Sequence, residues 1–104
     1  LSLEKNIDIL SLVSNHNLYR PRIVIGFAAE TENLEKNSLK KLSEKNCDWV
    51  ISNDVSDNTI GFDSDYNEVT IYYKDKSKNK EFLSKRNKAQ IADMITEKVI
   101  YDLN

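Results

Sequence analysis

Two short apolar runs, each ending in small and polar residues, dominate the hydrophobic pattern of the chain. The first lies in Ile23–Thr31 and the second in Trp49–Ser56. Apolar runs without alternation are typical of strands that are buried on both faces, as in parallel sheets. The segment between them is rich in lysine and glutamate and has a helical composition. The pattern therefore predicts one βαβ unit with a right-handed crossover.

Around this unit, the pattern predicts elements with specific bounds. Strands are expected at Arg22–Phe27 and Asp48–Ser52, with a helix from about Asn33 to Asn46 between them. Upstream, Asn6 is expected to cap a short amphipathic helix containing Ile7, Leu10 and Val13, with Asp8 in its first turn. A loop over residues 15–21 then leads into the first strand. The Asn-, Asp-, Ser- and Gly-rich residues 53–66 are expected to form a long loop of the kind that is usually functional.

The last third of the chain predicts a hairpin and a helix. Asn67–Tyr73 alternates, with Val69, Ile71 and Tyr73 on one side, which predicts a strand covered on one face. The lysine-rich residues 74–80 are expected to form a solvated hairpin turn, and Glu81–Leu83 a short return strand. Ser84 is then expected to cap a final helix whose apolar positions repeat every 3.6 residues.

Composition limits the class of protein. The chain has 104 residues, a net charge of −2 and a single cysteine. The charge argues against a nucleic-acid-binding protein, and no run of about 18 apolar residues predicts a membrane span. A lone Cys47 allows no intrachain disulfide, so a reduced, cytoplasmic setting is expected, with Cys47 as an inert buried side chain. His16 is expected to be a plain surface histidine. Because the chain starts at Leu1 with a strand-like Leu1–Leu3, it is expected to be the C-terminal part of a longer domain.

In open parallel sheets, ligands bind beyond the carboxyl ends of the strands, which directs attention to five residues. These are Gly26, Phe27, Glu30, Asn53 and Asp54. The glycine allows the backbone to approach a ligand or simply makes a tight strand end. The phenylalanine is placed to stack on a base or to fill the core. The three polar residues suit a substrate amine or hydrated Mg²⁺, or else bonds to loop backbone and a cap of the following turn.

Two further groups have both a binding and a structural interpretation. The helix N-terminus at Ile7, Asp8, Ile9 and Leu10 presents backbone N–H groups that suit a phosphate or a base edge, or belongs to an ordinary capped helix. Lys41 and Lys45 are four residues apart and share one helix face, which from sequence alone is a solvated face. Lys40 is a neighbour on a different face.

Five ordered blocks of the sequence resemble the C-terminal part of phosphopantothenoylcysteine synthetase, often the second half of a bifunctional coenzyme A biosynthesis flavoprotein. The blocks are Lys5–Leu10, Gly26–Thr31, Asn53–Ser56, Gly61–Asn67 and Ser84–Lys85. In the family a proline stands at the position of Ile7, where it suits the first helical turn. The resemblance covers nearly the whole chain, so residues 1–104 are expected to be the C-terminal part of the synthetase domain.

The resemblance implies a fold, an activity and a binding site. The fold would be α/β, the C-terminal portion of a Rossmann-like, mostly parallel sheet with an added antiparallel hairpin. The reaction would join 4′-phosphopantothenate to cysteine through an acyl-cytidylate, with CTP and Mg²⁺. The residues implied to bind CTP are Ile7, Asp8, Ile9, Leu10, Phe27, Lys41 and Lys45, while no catalytic residue or metal ligand is assigned. FMN would belong only to a decarboxylase half outside this segment.

The resemblance also places part of the site outside this chain. The family's glycine-rich turn, catalytic asparagine and lysine motif would lie upstream of Leu1, so this segment alone is expected to be inactive. The alternative is a non-catalytic nucleotide-binding or interaction module descended from the same family. The family further implies a homodimer, and self-association is expected through the sheet that contains Asn67–Tyr73, because unprotected strand edges are normally covered or paired.

Overall fold

The structure of the chain, a computed structural model, describes residues 8–54 and 66–104. Three helices and four strands make up this part. In chain order they are α1 (Ile9–Ser14), β1 (Ile25–Glu30), α2 (Leu34–Glu44), β2 (Trp49–Asp54), β3 (Tyr66–Tyr73), β4 (Glu81–Asn87) and α3 (Lys88–Leu103). Over these ranges, no helix is both long and apolar enough to cross a membrane.

The four strands form one sheet in the order β1-β2-β3-β4. β1 and β2 are parallel and are joined by α2, whereas β2–β3 and β3–β4 are antiparallel. The βαβ unit, the α/β class and the added hairpin predicted from the sequence are therefore confirmed. One of the three strand pairings described here is parallel.

A helix packs on each face of the sheet, and each packing makes an apolar cluster. The α3 face holds Trp49, Ile51, Val69, Ile71, Leu83 and Ile91. The α2 face holds Val24, Leu42, Cys47, Val50 and Tyr72. The prediction that β3 is covered on only one face is wrong, because Thr70 and Tyr72 are also buried, on the α2 face. The tyrosine ring supplies apolar surface despite its polar hydroxyl.

The two parallel strands differ in burial. The residues of β2 from Trp49 to Ser52 are all buried, as predicted for a strand covered on both faces. β1 does not follow that prediction in the described part of the chain, since Phe27 and Ala29 are exposed on one of its faces. The physical reason is position: β1 is the outermost described strand, and α3 packs over the cluster centred on β2 and β3.

Both parallel strands are shifted towards their carboxyl ends relative to the prediction. β1 begins at Ile25 and not at Arg22, β2 begins at Trp49 and not at Asp48, and both end later than predicted. Their pairing continues through Ala29 with Asn53 and Glu30 with Asp54, because each added residue gains a ladder partner on the neighbouring strand. Residues 53 and 54 are therefore strand and not loop, and Tyr66 begins β3. The rest of the predicted loop, and most of the Gly61–Asn67 motif, lie outside the described residues.

The start of the last helix is also corrected. Ser84 lies within β4 and does not cap the helix. Asn87 is the cap: its side chain accepts a 2.8 Å bond from the backbone N–H of Gln90, whose side chain accepts a 3.2 Å bond from the backbone N–H of Asn87. This reciprocal pair is a capping box. The longer β4 also pairs the second edge of β3, so the open sheet edges of the described residues are β1 and β4.

Candidate functional site

Asp8 forms the N-terminus of α1 and corrects the sequence prediction for this helix. Its side chain accepts a 3.0 Å hydrogen bond from the backbone N–H of Ser11, and the Ser11 hydroxyl donates to the same carboxylate at 2.9 Å. Asp8 is thus the cap residue, outside the first turn. The predicted cap Asn6 and the neighbouring Ile7 lie outside the described residues. An acidic cap fits here because it satisfies an otherwise unpaired N–H and favours the helix dipole.

Lys45, the residue that ends α2, forms an ion pair with Asp8. The hydrogen bond from Lys45, followed by the bond from the Ser11 backbone, lowers the pKa of Asp8 to about 2. The same contact raises the pKa of Lys45. Both side chains are about one-third exposed, so a ligand can reach the pair from solvent. The structure therefore brings together two of the predicted site residues, Asp8 and Lys45.

Lys41 lies one turn before Lys45 and donates a hydrogen bond to the backbone carbonyl of Phe27 in β1. The adjacent Gly26 is buried beneath this contact. A Cβ atom at Gly26 would lie 3.2 Å from Leu10 Cδ2, 3.2 Å from Cys47 Sγ and 3.5 Å from Lys41 Cε. A side chain here would press on Leu10 and Cys47, so glycine suits the close approach of α1 and α2 to β1. The two helices and the strand place Leu10 and Lys41 side by side.

The Phe27 side chain points away from this group. Successive side chains of a strand alternate between faces, and Ile25 packs against the α3 cluster while Ala28 packs against the α2 cluster. Phe27 is therefore on the α3 face, whereas the two lysines are on the α2 face. Its side chain is 64% exposed, which excludes the core interpretation within the described part of the chain. A ligand that contacts both Phe27 and Lys41 has to pass around the outer edge of β1.

The polar residues at the carboxyl ends of the parallel strands form a separate group. Glu30 is the neighbour of Asp54 across the ladder, and Ala29 is the neighbour of Asn53. The Glu30 carboxylate accepts a 3.2 Å bond from Asn37 Nδ2. Three residues of strand place Glu30 about 10 Å beyond Phe27. Among the residues described, no three His, Cys, Asp or Glu side chains lie close enough together to hold a metal ion.

The surroundings of His16 and Cys47 agree with the prediction that His16 is a surface histidine and Cys47 an inert buried side chain. His16 is exposed, and its Nδ1 accepts bonds from the backbone N–H groups of Leu18 at 3.2 Å and Tyr19 at 3.0 Å. It organises the turn after α1. Cys47 is fully buried, and this burial raises the pKa of its thiol. A raised pKa disfavours the reactive thiolate.

The Asp8–Lys45 pair itself was missed by the sequence analysis. In the sequence, Asp8 is expected in the first turn of a helix, where its charge favours the helix dipole, and Lys45 is expected to share a helix face with Lys41. They are 37 residues apart in the chain, and only the packing of α1 against the end of α2 brings them together. No local spacing rule connects them. The resemblance supplied both residues but not their contact.

Comparison with known proteins gives a consistent family match. A family model described as the DNA/pantothenate metabolism flavoprotein C-terminal domain matches residues 1–103. The coenzyme A biosynthesis bifunctional protein CoaBC of Bacillus subtilis is 43% identical over 75 residues, which are 72% of this chain and 18% of that protein. The CoaBC protein of Haemophilus influenzae is 37% identical over 98 residues, which are 93% of this chain and 23% of that protein.

Solved structures agree with this match. The chain is similar to the crystal structure of the C-terminal domain of CoaBC, with a TM-score of 0.72 and 31% identity over 94% of this chain and 42% of the other. The DNA/pantothenate metabolism flavoprotein of Streptococcus pneumoniae has a TM-score of 0.70 at 22% identity, which shows a shared fold. The chain spans 18% and 23% of the two curated relatives.

Proposed function

Because the chain belongs to the family of DNA/pantothenate metabolism flavoprotein C-terminal domains, we propose that it is part of a ligase of coenzyme A biosynthesis. The ligase joins 4′-phosphopantothenate to cysteine with CTP, and residues 1–104 contribute the C-terminal part of its nucleotide site. The observation that carries the proposal is that Leu10 and Lys41 lie against the backbone of Gly26 and Phe27, next to the Asp8–Lys45 ion pair that joins α1 to the end of α2. The family resemblance implies all of these residues except Gly26 for CTP binding.

The two lysines supply the positive charge that a triphosphate requires. Lys41 and Lys45 lie one turn apart at the C-terminal end of α2. The Lys41 ammonium group donates to the carbonyl of Phe27 in β1, and the Lys45 ammonium group pairs with Asp8 at the start of α1. Bonds between ammonium and phosphate oxygens are charge-assisted and about twice as strong as neutral ones. In this proposal the phosphates of CTP replace, or add to, the present partners of the lysines.

The reaction has two steps. The carboxylate of 4′-phosphopantothenate attacks the α-phosphorus of CTP, so that a carboxylate–phosphorus bond forms and pyrophosphate leaves. The amine of cysteine then attacks the acyl carbon, an amide forms, and CMP leaves with the electron pair of the broken bond. The contribution of this chain is to hold the nucleotide in line and to neutralise charge that develops on the phosphates.

The remaining site residues have roles within the same proposal. Phe27 contacts the cytosine ring from the α3 face, with the nucleotide passing around the outer edge of β1. Glu30, Asn53 and Asp54 position the cysteine amine or the water shell of Mg²⁺ beyond the strand ends. Mg²⁺ prefers a few carboxylates together with phosphate oxygens, so the two carboxylates paired across the ladder fit it when the triphosphate supplies the other ligands. The ion would offset phosphate charge.

A homodimer is part of the proposal. The open edges of the sheet in the described residues are β1 and β4, and Phe82 on β4 is 62% exposed. An exposed edge strand with an apolar side chain favours pairing with a second copy. Sedimentation velocity of the complete protein is expected to give a dimer or a larger assembly. If the variant Phe82→Lys dissociates this assembly, the contact between the copies lies at β4. A monomer at high concentration would contradict the dimer.

The proposed ligase is tested with the complete protein, CTP and 4′-phosphopantothenate. Without cysteine, we expect pyrophosphate release that depends on 4′-phosphopantothenate and stops near one equivalent per site. With cysteine, turnover and CMP release follow. CTP binding without turnover would favour the non-catalytic module, and the absence of both would contradict the proposal. Residues 1–104 assayed alone in parallel are expected to be inactive, because the family resemblance implies further site residues, a glycine-rich turn and a lysine motif, that these residues do not supply.

A further inference from the structure

The guanidinium group of Arg20 joins three segments of the chain next to the candidate site. Its Nε donates to the carbonyl of Ser14 at 2.7 Å, and its Nη2 donates to the carbonyl of Asn46 at 3.1 Å and to Asp48 Oδ2 at 2.9 Å. These acceptors are the last residue of α1, the turn after α2 and the residue before β2. One side chain therefore links the C-terminal ends of both helices to the start of the second parallel strand.

The same group of residues fixes the backbone of Lys45. Ser14 is fully buried, and its hydroxyl donates to the carbonyl of Lys45. Arg20 holds the next carbonyl, that of Asn46, whose backbone is in the left-handed region with φ of 52°. The carboxylate of Asp48 also accepts a 2.8 Å bond from the backbone N–H of Val24, just before β1. The peptide that carries Lys45 is thus held on both sides.

The docking of α1 depends on these polar contacts. The helix has only six residues, and three of its apolar side chains, Ile9, Leu12 and Val13, are exposed. Only Leu10 packs against an apolar cluster. Apolar burial is therefore small, and polar contacts hold both ends of the helix in the described part of the chain. One end has the Asp8–Lys45 pair, and the other has the contacts of Ser14 with Arg20, Lys45 and the Asn46 side chain.

We propose that Arg20 is a positioning residue that fixes Lys45, together with its partner Asp8, at the candidate nucleotide site. The inference rests on the proposed function for its effect on CTP, but not for its effect on the position of α1. Arg20 is suited to this role because the planar guanidinium satisfies several acceptors at fixed angles, which a lysine ammonium on a flexible chain does not. Its guanidinium group is already bonded to acceptors on Ser14, Pro21, Asn46 and Asp48, so we assign it a role that acts through Lys45.

The test uses the complete protein and the variants Arg20→Gln, Arg20→Lys and Arg22→Gln. Arg22 is the matched control: it lies two residues away, is exposed, and donates to the carbonyl of Leu103, the last residue of α3, and not to the segments that hold Lys45. Hydrogen exchange is followed by mass spectrometry in the α1 peptide, where Leu12 N–H bonds to the Asp8 carbonyl at 2.9 Å and Asn15 N–H to the Ser11 carbonyl at 3.0 Å. CTP affinity is measured by calorimetry on the same samples.

We expect Arg20→Gln to accelerate exchange in α1 while β2 and α3 keep their protection. The apparent Kd for CTP rises by about tenfold if the helix is docked about a tenth of the time. Arg20→Lys has an intermediate effect on both readouts, and Arg22→Gln has none. If Arg20→Gln loses protection throughout the domain, the proposal is tested by comparing Arg20→Lys with Arg22→Gln. Faster exchange in α1 and weaker CTP binding in Arg20→Lys alone support it, and equal behaviour of these two variants overturns it.

Two results overturn the assignment: unchanged exchange in α1 when Arg20 is replaced, or faster exchange without any loss of CTP affinity. Failure of the proposed function is distinguished from these two results, because the unmodified protein then binds no CTP. In that case the exchange measurement still decides whether Arg20 holds α1 and Lys45 together.

Discussion

Lys45, at the end of α2, donates a hydrogen bond to the carboxylate of Asp8, which caps α1 from a position 37 residues earlier in the chain. This contact joins the two helices that flank the backbone of β1 at Gly26 and Phe27. It also places a fixed negative charge beside one of the two lysines that the family resemblance implies for CTP binding. Both the stability of α1 and the charge available to a ligand depend on it.

The ion pair predicts a pH dependence. Contact with Lys45 lowers the pKa of Asp8 from 3.8 to about 2, so the folded state binds its proton more weakly than the unfolded chain does. The stabilisation is therefore fully present above the unfolded pKa and is lost as the pH falls from about 4 towards about 2. Asp8→Asn keeps an oxygen for the Ser11 N–H but removes the pair.

Acid unfolding of the complete protein, with and without Asp8→Asn, measures this effect. The difference in free energy of unfolding between the two proteins should be constant near neutral pH and shrink below about pH 4. A difference that does not change with pH would show that the ion pair with Lys45 does not lower the pKa of Asp8 in the folded protein.

We expect Phe27→Ala to weaken CTP binding while the protein stays folded. Its side chain is 64% exposed, so Phe27→Ala removes little buried surface. Stacking of a base on an aromatic ring is worth about 1–3 kcal/mol, so the variant should bind CTP about tenfold more weakly or worse. Tyr101→Ala is the matched control, because Tyr101 is an aromatic residue on α3 that is 82% exposed. Unchanged CTP affinity in calorimetry with Phe27→Ala would remove Phe27 from the site.

Stability measurements distinguish the cap of α3 seen in the structure, Asn87, from the cap predicted by the sequence pattern, Ser84. Asn87→Ala removes the acceptor of the Gln90 N–H and should lower the free energy of unfolding by about 1 kcal/mol. Ser84→Ala should change it little, because Ser84 is an exposed residue within β4. Urea unfolding of the two variants measures both values. The reverse order of effects would place the helix start at Ser84.

The α3 cap illustrates where local sequence patterns fail. Serine and asparagine are both good caps, so Ser84 and Asn87 were equally acceptable from composition alone. The choice was decided by pairing: β3 offers partners as far as Tyr66, and Asn67 pairs with Arg86, which keeps the chain in strand conformation through Asn87. The same effect extends β1 and β2 beyond their apolar runs to Glu30 and Asp54.

The βαβ unit was predictable because it depends on strong local signals. The apolar residues of Trp49–Ser52 are all buried, and α2 carries Leu42 into the core as its pattern requires. The candidate site was predictable only through the family resemblance. Asp8, Lys45 and Arg20 meet through the packing of α1 against the end of α2, and contacts at such separations leave no periodic trace in a single sequence.

CTP binding to the complete protein, measured by calorimetry with lysine variants, tests the central claim most directly. Lys41→Met removes the charge next to the β1 backbone and Lys45→Met removes the charge that pairs with Asp8, whereas Lys40→Met removes an exposed charge one residue from Lys41. A charge-assisted bond is worth about 1.5–3 kcal/mol, so each of the first two variants should raise the Kd by about tenfold or more. Lys40→Met should leave it unchanged. Equal affinities for all three variants and the unmodified protein would contradict a nucleotide site at the end of α2.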